Sequence, residues 1–383
     1  MSEKPKLGVG MVGYAFMGRS HSQAWRTLNA AFDIPYDIDM AAIVGRTPEK
    51  VQAAAATLGW RSYETDWRRL LERDDIHLVD VCTPGGNHAE LAIAALEAGK
   101  HVLCEKPLAN TADEAREMAA AAEAAAAKGV RSMVAFNYRR VPAAAFAKQL
   151  VEQGRLGQIR QIRAVYLQDW ITDPEFPLLW RLQKDEAGSG ALGDIGSHIV
   201  DLTQFVTGQR VTGVSGITET FIKQRPLEDG TGVGEVTVDD AALFVARLDG
   251  GAVATYEATR FATGRKNSLR FEINGSKGSV AFDLERLNEL ELYLTDDDGP
   301  VQGFRRILIT EADHPYLAAW WPPGHIIGWE HTFTHEAYDF VTAIADGSTP
   351  APSFADGLQV QLVLDAVLRS ANSGADWTTV ETT

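Results

Sequence analysis

Two cysteines in 383 residues leave no disulfide framework to build on. Cys82 and Cys104 each sit inside an apolar run, so they read as reduced core residues of a cytosolic protein, without metal-ligand spacing. Positive charge is scarce as well: 36 Lys and Arg against 52 Asp and Glu give a formal net charge of -16. Nucleic-acid binding rests on cations that neutralise phosphates, and anionic membranes recruit the same side chains, so neither is an expected partner. No stretch approaches the roughly 18 uninterrupted apolar residues that a bilayer span needs. The amino-terminal residues Met1 to Lys6 lack the charged, then apolar, then small order of a secretory leader, which points to the cytoplasm. No internal repeat is present.

What is there is ordinary globular composition, 45% hydrophobic and 23% charged, in a chain longer than one hydrophobic core usually serves. Two domains are expected, divided as residues 1–136 and 137–383.

Leu7 to Val12 is a short apolar run, and Gly13-Tyr-Ala-Phe-Met-Gly18 follows it before a helix-like segment from Arg19 to Ala30. Strand, glycine turn and helix in that order form the dinucleotide fingerprint. Backbone N–H groups at the helix start receive a pyrophosphate, with Gly13, Ala15, Phe16, Met17 and Gly18 as the candidate contacts. Ala15 stands where the middle glycine belongs and adds one methyl at the approach point. The second strand, Met40 to Val44, ends at Gly45-Arg46-Thr47, where an acid would grip the ribose hydroxyls of NAD. A missing acid beside a guanidinium favours a 2′-phosphate, so the expected cofactor is NAD or NADP with a lean to NADP. The same residues also read as a plain turn with Thr47 capping a helix from Pro48 to Leu58.

The alternation continues with a strand at Ile76–Cys82, a helix at Ala89–Ala98, a strand at His101–Cys104, a helix at Ala112–Lys128 and a strand at Ser132–Phe136. Such a series implies a parallel sheet, and ligands of open α/β sheets bind outside the carboxyl ends of the strands. Thr83, Pro84, Asn87 and His88 stand at one such end, Glu105 and Lys106 at another, and Asn137-Tyr138-Arg139-Arg140 at a third. The first six join the cofactor candidates. Lys106 is also the first candidate for chemistry, against the plain reading of a solvated strand-end lysine.

The stretch Gly188-Ser-Gly-Ala-Leu-Gly-Asp194-Ile-Gly-Ser-His198-Ile-Val-Asp201 sets Asp194 and His198 four apart, so on a helix both leave one face, one turn apart. That is an acid-base pair on a rigid element, or else a helix-start aspartate beside a satisfied core histidine.

These motifs together make the chain resemble the Gfo/Idh/MocA family of nicotinamide-dependent sugar and polyol oxidoreductases. The matching residues are Gly13 to Gly18 with His21, Thr83-Pro84 with Asn87-His88, Glu105-Lys106-Pro107, Asn137 to Arg140, and Gly188 to Asp201. The resemblance implies a Rossmann domain followed by an α/β domain with a large, mostly antiparallel open sheet. It also implies a catalytic trio of Lys106, Asp194 and His198, and a homodimer or homotetramer whose partner subunit covers that sheet.

Strand patterns at Ile159–Tyr166, Val211–Ile217, Asp240–Arg247, Ala252–Ala258, Leu269–Gly275, Gly278–Phe282 and Leu290–Leu294 imply antiparallel pairing. Tyr138, Gln168, Trp170, Trp180 and Arg181, with Asp194 and His198, form the expected substrate set: flat rings for a sugar's C–H face and polar forks for its hydroxyls. Trp170 and Trp180 also suit a core. Gln168-Asp169-Trp170 and Trp180-Arg181 resemble the levoglucosan dehydrogenase branch of the family. An aromatic, proline-rich loop, His314 to His325, reads as a pocket cap or an interface, and two helices, Trp329–Ala345 and Ser353–Ser370, close the chain. The latter is expected to pack back near the cofactor domain.

The expected activity is hydride transfer between a hydroxyl-bearing carbon and nicotinamide. His198 is its general base, Asp194 orients or charge-stabilises it, and Lys106 steadies the alkoxide, with Lys106 in place of His198 as the alternative acceptor of the proton. A redox-neutral glycoside hydrolase or lyase and a non-catalytic nucleotide sensor are the alternatives. No metal is expected, since hydride transfer needs none.

Overall fold

A computed structural model describes residues 4–381. The chain divides into two compact units, Met1–Arg140 with Gly328–Leu358, and Val141–Ile327 with Gln359–Thr383. The helix returned whole to the first unit is His331–Asp346, the last but one, whereas the final helix, Phe354–Asn372, contributes its opening turn alone. Among the described residues no helix is long and apolar enough to cross a membrane.

In the first unit β1 (Lys6–Val12), β2 (Asp37–Val44), β3 (Ser62–Glu64), β4 (Leu78–Val81), β5 (His101–Glu105) and β6 (Ser132–Ala135) form one all-parallel sheet. The strand order β3-β2-β1-β4-β5-β6 is that of the doubly wound dinucleotide fold. Sheets covered on both faces read as continuous apolar runs, and β4, β6 and nearly all of β1 are buried. The helix Phe16–Ala31 lays Trp25 and Leu28 against Val9, Met11 and Ile43, and Phe340 and Val341 from His331–Asp346 join the same cluster. Each fully buried side chain such as Leu28 or Phe340 contributes roughly 1.5–3 kcal/mol. β3 carries no apolar pattern, being only Ser-Tyr-Glu, and the sequence reading passes over it.

Local chemistry sets the helix starts. Thr111 and Glu114 form a reciprocal capping box on Ala112–Ala126. Thr47 occupies the N-cap of Pro48–Leu58 in an extended conformation, but its side chain makes no capping hydrogen bond. The capping role expected of it is corrected to a turn position that Pro48 alone helps to start.

In the second unit the strands are β7 (Ile159–Leu167), β8 (Val211–Glu219), β9 (Gln224–Pro226), β10 (Val233–Glu235), β11 (Ala241–Leu248), β12 (Val253–Thr259), β13 (Ser268–Gly275), β14 (Gly278–Asp283), β15 (Glu289–Leu294), β16 (Arg305–Leu308) and β17 (Thr378–Thr379). β9 and β10 pair only with each other, and the other nine form one mixed sheet in the order β16-β15-β14-β13-β7-β12-β11-β8-β17. All its pairings are antiparallel except β7 with β12. Alternation of burial along β14, and along β11 from Ala242 onward, leaves one face apolar and covered, the other outward. The covered face packs the helix Ser197–Thr207, and a buried Thr203–Tyr256 hydroxyl pair at 2.8 Å pins that helix to the sheet.

Candidate active site

The turn from β1 into Phe16–Ala31 is built by close approach. Gly13 has φ of 105°, and a Cβ there would stand 2.5 Å from the Cys82 carbonyl oxygen. One on Gly18 would stand 2.3 Å from that of Gly13. Ala15 at the N-cap offers no side-chain acceptor, and the helix has no acid in its first turn, so the first N–H groups meet no side-chain oxygen of their own. That uncapped, glycine-cradled helix start fits the pyrophosphate of a nicotinamide dinucleotide. Phe16 is 62% exposed, and its ring stacks on Trp329 at 5.5 Å. Met17 is half-buried nearby.

At the end of β2, Gly45 is constrained by its neighbour, since a Cβ there would fall 2.0 Å from the Tyr14 ring. Arg46 and Thr47 are exposed.

The loops after β4 and β5 are tied together from inside. His88 is buried, with its two ring nitrogens 2.9 and 3.0 Å from the carbonyls of Thr83 and Pro107. Burial holds its pKa down, so a neutral ring donates to one carbonyl at a time. Pro84 is half-buried and Asn87 exposed on this stretch.

Beneath lies His21, 3.0 Å from both carboxylate oxygens of Asp80 and 3.0 Å from Oε1 of Glu105. Burial opposes charge on this ring, but the Asp80 carboxylate and, to a lesser extent, the Cys82 sulfur together more than offset it and raise the pKa well above the ordinary value. The imidazolium is thus clasped between two acids, while Trp25 donates to Asp80 at 2.7 Å and the Lys106 N–H donates to the second oxygen of Glu105 at 3.0 Å. Glu105, expected to face cofactor, is buried here as the support of the Lys106 loop. Lys106 itself is half-buried.

His21, Asp80 and Cys82 bring potential ligand atoms within 4.8 Å of one another. Both His21 nitrogens are engaged, and burial pushes the Cys82 thiol far up from its usual range, so the cluster is hydrogen-bonded packing without a ready thiolate.

Tyr138 is buried, its hydroxyl accepting from Trp329 Nε1 at 3.4 Å, and Asn137 beside it donates to Thr332 at 2.9 Å.

In the second unit the Gly188–Asp201 stretch departs from the expected α-helix. Leu192–Gly196, which carries Asp194, is a π-helical turn, and the α-helix proper, Ser197–Thr207, begins one residue before His198. Single π turns recur at functional sites. Asp194 is half-buried, with Oδ2 3.6 Å from Nη1 of the buried Arg260. His198 is buried and its ring lies 5.9 Å from that of Tyr166.

Gln168 and Trp170 hold each other, Trp170 Nε1 donating to Oε1 of Gln168 at 2.9 Å while Gln168 Nε2 donates to Asn267 at 2.8 Å. One edge of Trp170 packs on Phe176 and a small core of Ile171, Leu182 and Val238, so the half-buried ring takes part in that core. The Arg181 guanidinium lies 4.3 Å over Trp180, and both are half-buried. Lys106 stands on the first unit, Asp194, His198, Trp170, Trp180 and Arg181 on the second.

Sequence reasoning passes over Asp80, Trp329, Glu336, Asp239 and Arg260. A signal existed for the first, a charge within the apolar run of β4. Trp329 and Glu336 come from sequence nearly two hundred residues beyond Tyr138, a distance that local pattern does not bridge.

A Rossmann sheet of this order with an open helix start defines a dinucleotide-binding protein. An acid, an imidazole and half-buried indole rings stand on the second unit. Residues 7–136 match the family model described as an oxidoreductase family with an NAD-binding Rossmann fold, and residues 145–281 match that of the GFO/IDH/MocA C-terminal domain. The chain is 43% identical to levoglucosan dehydrogenase of Pseudarthrobacter phenanthrenivorans over 95% of its own length and 96% of that protein. A crystal structure of an oxidoreductase domain protein from Kribbella flavida is 63% identical, with a TM-score of 0.97, covering 99% of this chain and all (100%) of that one. Levoglucosan dehydrogenase in complex with NADH and levoglucosan superposes with a TM-score of 0.95 at 43% identity over 99% of this chain and 100% of that one. The chain belongs to the Gfo/Idh/MocA family of oxidoreductases.

Glu336, on His331–Asp346, is buried with its Oε1 lacking a hydrogen-bond partner, and burial raises its pKa to about 8 against the pull of Arg140 and His21. Between about pH 5 and pH 8 the native chain keeps this proton while the unfolded chain releases it, so stability falls as pH rises. Glu336→Gln is expected to unfold at progressively higher denaturant than the parent across that window, the difference reaching roughly 5 kcal/mol at the alkaline end. Parallel stability-against-pH curves for the two proteins would refute it.

Proposed function

We propose that this chain is an NAD(P)-dependent dehydrogenase acting on a ring or polyol CH–OH of a sugar, inositol or anhydrosugar. The observation that carries this reading is the half-buried Asp194 leading into the helix of His198, beside Trp170 and the stacked Trp180–Arg181 pair. The likeness to levoglucosan dehydrogenase supports an anhydrosugar as the first substrate to test. His198 takes the hydroxyl proton, Asp194 orients the ring and balances its charge, and Lys106 steadies the developing alkoxide. The bound nicotinamide supplies the hydride acceptor.

Purified protein supplied with NAD or NADP is expected to raise absorbance at about 340 nm with one member of a panel of 1,6-anhydrosugars, inositols and monosaccharides. His198→Asn and Lys106→Ala are each expected to lower kcat by roughly 10²–10⁴-fold, with NADH affinity intact in His198→Asn. Near-normal turnover in either variant would remove that residue's role, and product released without net nicotinamide reduction would establish the redox-neutral alternative.

The cofactor pocket admits NADP as well as NAD. No carboxylate stands at position 45 to repel a 2′-phosphate, the Tyr14 ring fills the space where one would project, and Arg46 is exposed with no ion-pair partner among the described residues. Arg46→Ala is expected to weaken NADPH roughly tenfold and NADH less than about twofold in fluorescence titrations. Equal weakening of both would sink the assignment.

The chain also works as a homodimer or homotetramer in the cytoplasm. Buried thiols at Cys82 and Cys104, neither in a disulfide, suit that compartment. The outward face of the mixed sheet carries Ile217, Leu243, Val245 and Val253, each 41–55% exposed, with Ile217 directly opposite Leu243. An apolar patch of this kind on a sheet face suits a second copy of the chain. Val245→Asp is expected to lower the mass seen by sedimentation equilibrium, and an unchanged mass would count against this face.

A further inference from the structure

Behind Asp194 lies a buried ionic clamp that no motif announces. Asp239 is 7% exposed and closes both carboxylate oxygens on the start of the π turn, accepting from the Gly190 N–H at 2.7 Å and the Leu192 N–H at 2.8 Å. Its own carbonyl accepts from the Ala191 N–H at 3.0 Å and from Arg260 Nη2 at 3.2 Å. The fit leaves no room for a side chain at Gly190, where a Cβ would stand 1.7 Å from that carbonyl oxygen.

Arg260 is fully buried at the end of β12, and its guanidinium is shared three ways. Nη1 lies 3.6 Å from Asp194 Oδ2 and 3.5 Å from the Arg181 carbonyl, and the guanidinium carbon lies 5.5 Å from the centre of the Trp170 ring. One cation therefore touches the carboxylate, the strand end that carries Asp239, and both aromatic segments beside them.

From this arrangement we propose that Arg260 is a positioning residue for the reaction, with Asp239 as its anchor. The guanidinium keeps the Asp194 carboxylate charged and aimed, and through it fixes the orientation of His198. The inference rests on the reading of Asp194 and His198 as the acid-base pair. A buried cation next to a carboxylate favours its ionised form, and a donor fork held from three sides has little freedom to reorganise during proton transfer. Such a group acts on the transition state through Asp194, so its loss falls on kcat and leaves substrate affinity largely in place.

The test is a double-mutant cycle on the full chain with saturating cofactor. Arg260→Gln removes the charge, and Arg260→Lys keeps a cation but loses the fork, so the series stays readable where the first variant folds poorly. Thermal unfolding and NADH affinity by fluorescence titration are followed throughout. Either variant is expected to lower kcat roughly 10–100-fold with KM changed less than about threefold. In an Asp194→Asn background, itself impaired, the same change at 260 is expected to cost no more than about twofold, because the carboxylate it serves is gone. Additive losses in that background, or a rise in KM without a fall in kcat, would overturn the assignment of Arg260 alone. Undiminished turnover in Asp194→Asn would instead remove the acid-base pair, and the positioning role with it.

Discussion

The first unit depends on one buried charge. His21 carries its proton between Asp80 and Glu105, and through them β4, β5 and the Phe16–Ala31 helix are tied at the carboxyl edge of the sheet. Removing one partner of such a buried set leaves an uncompensated charge, at a cost of roughly 3–5 kcal/mol. The arrangement has a functional consequence as well. Since Glu105 spends its second oxygen on the Lys106 N–H, the backbone from which Lys106 departs inherits the rigidity of the ion cluster. A lysine on a long, flexible stem becomes useful only when its root is held.

Much of this was legible in the residues alone. Alternating apolar runs and helices revealed the parallel sheet because buried parallel strands are continuous in hydrophobicity, and the second sheet showed itself as a run of strand patterns implying antiparallel pairing. What stayed hidden lacks such periodicity. β3, β9, β10 and β17 are each two or three residues long, and β16 is an exposed Arg-Arg edge, so none buries enough apolar surface to leave a pattern.

The candidate site was legible to a different depth. Asp194 and His198 stand on one continuous helical segment, as the face their spacing would share suggested, but the start of the π turn at Leu192–Gly196 is held by the Asp239 carboxylate, which accepts from Gly190 and Leu192. Asp239 lies dozens of residues downstream, and no local propensity encodes that pairing. The same holds for Thr47, whose position at a helix start was readable while its failure to cap was not. Capping needs a side-chain rotamer that the backbone must leave free.

A common logic joins the two units. Each candidate catalytic residue, Lys106 in one and Asp194 in the other, is supported by a buried charge: the Glu105 carboxylate on the backbone N–H of the first, the Arg260 guanidinium beside the carboxylate of the second. Each of those charges is in turn held by a further ion or by backbone groups, the His21 ring for Glu105, the carbonyls of Asp239 and Arg181 for Arg260. Burying ions is expensive and stabilises a fold little by itself. What it supplies is a fixed electrostatic environment at a defined point, which is worth most where charge must develop during reaction. Charged residues lodged at the ends of apolar strands, such as Glu105 on β5 and Arg260 after β12, are therefore the residues from which the layer behind a reactive surface can be sought.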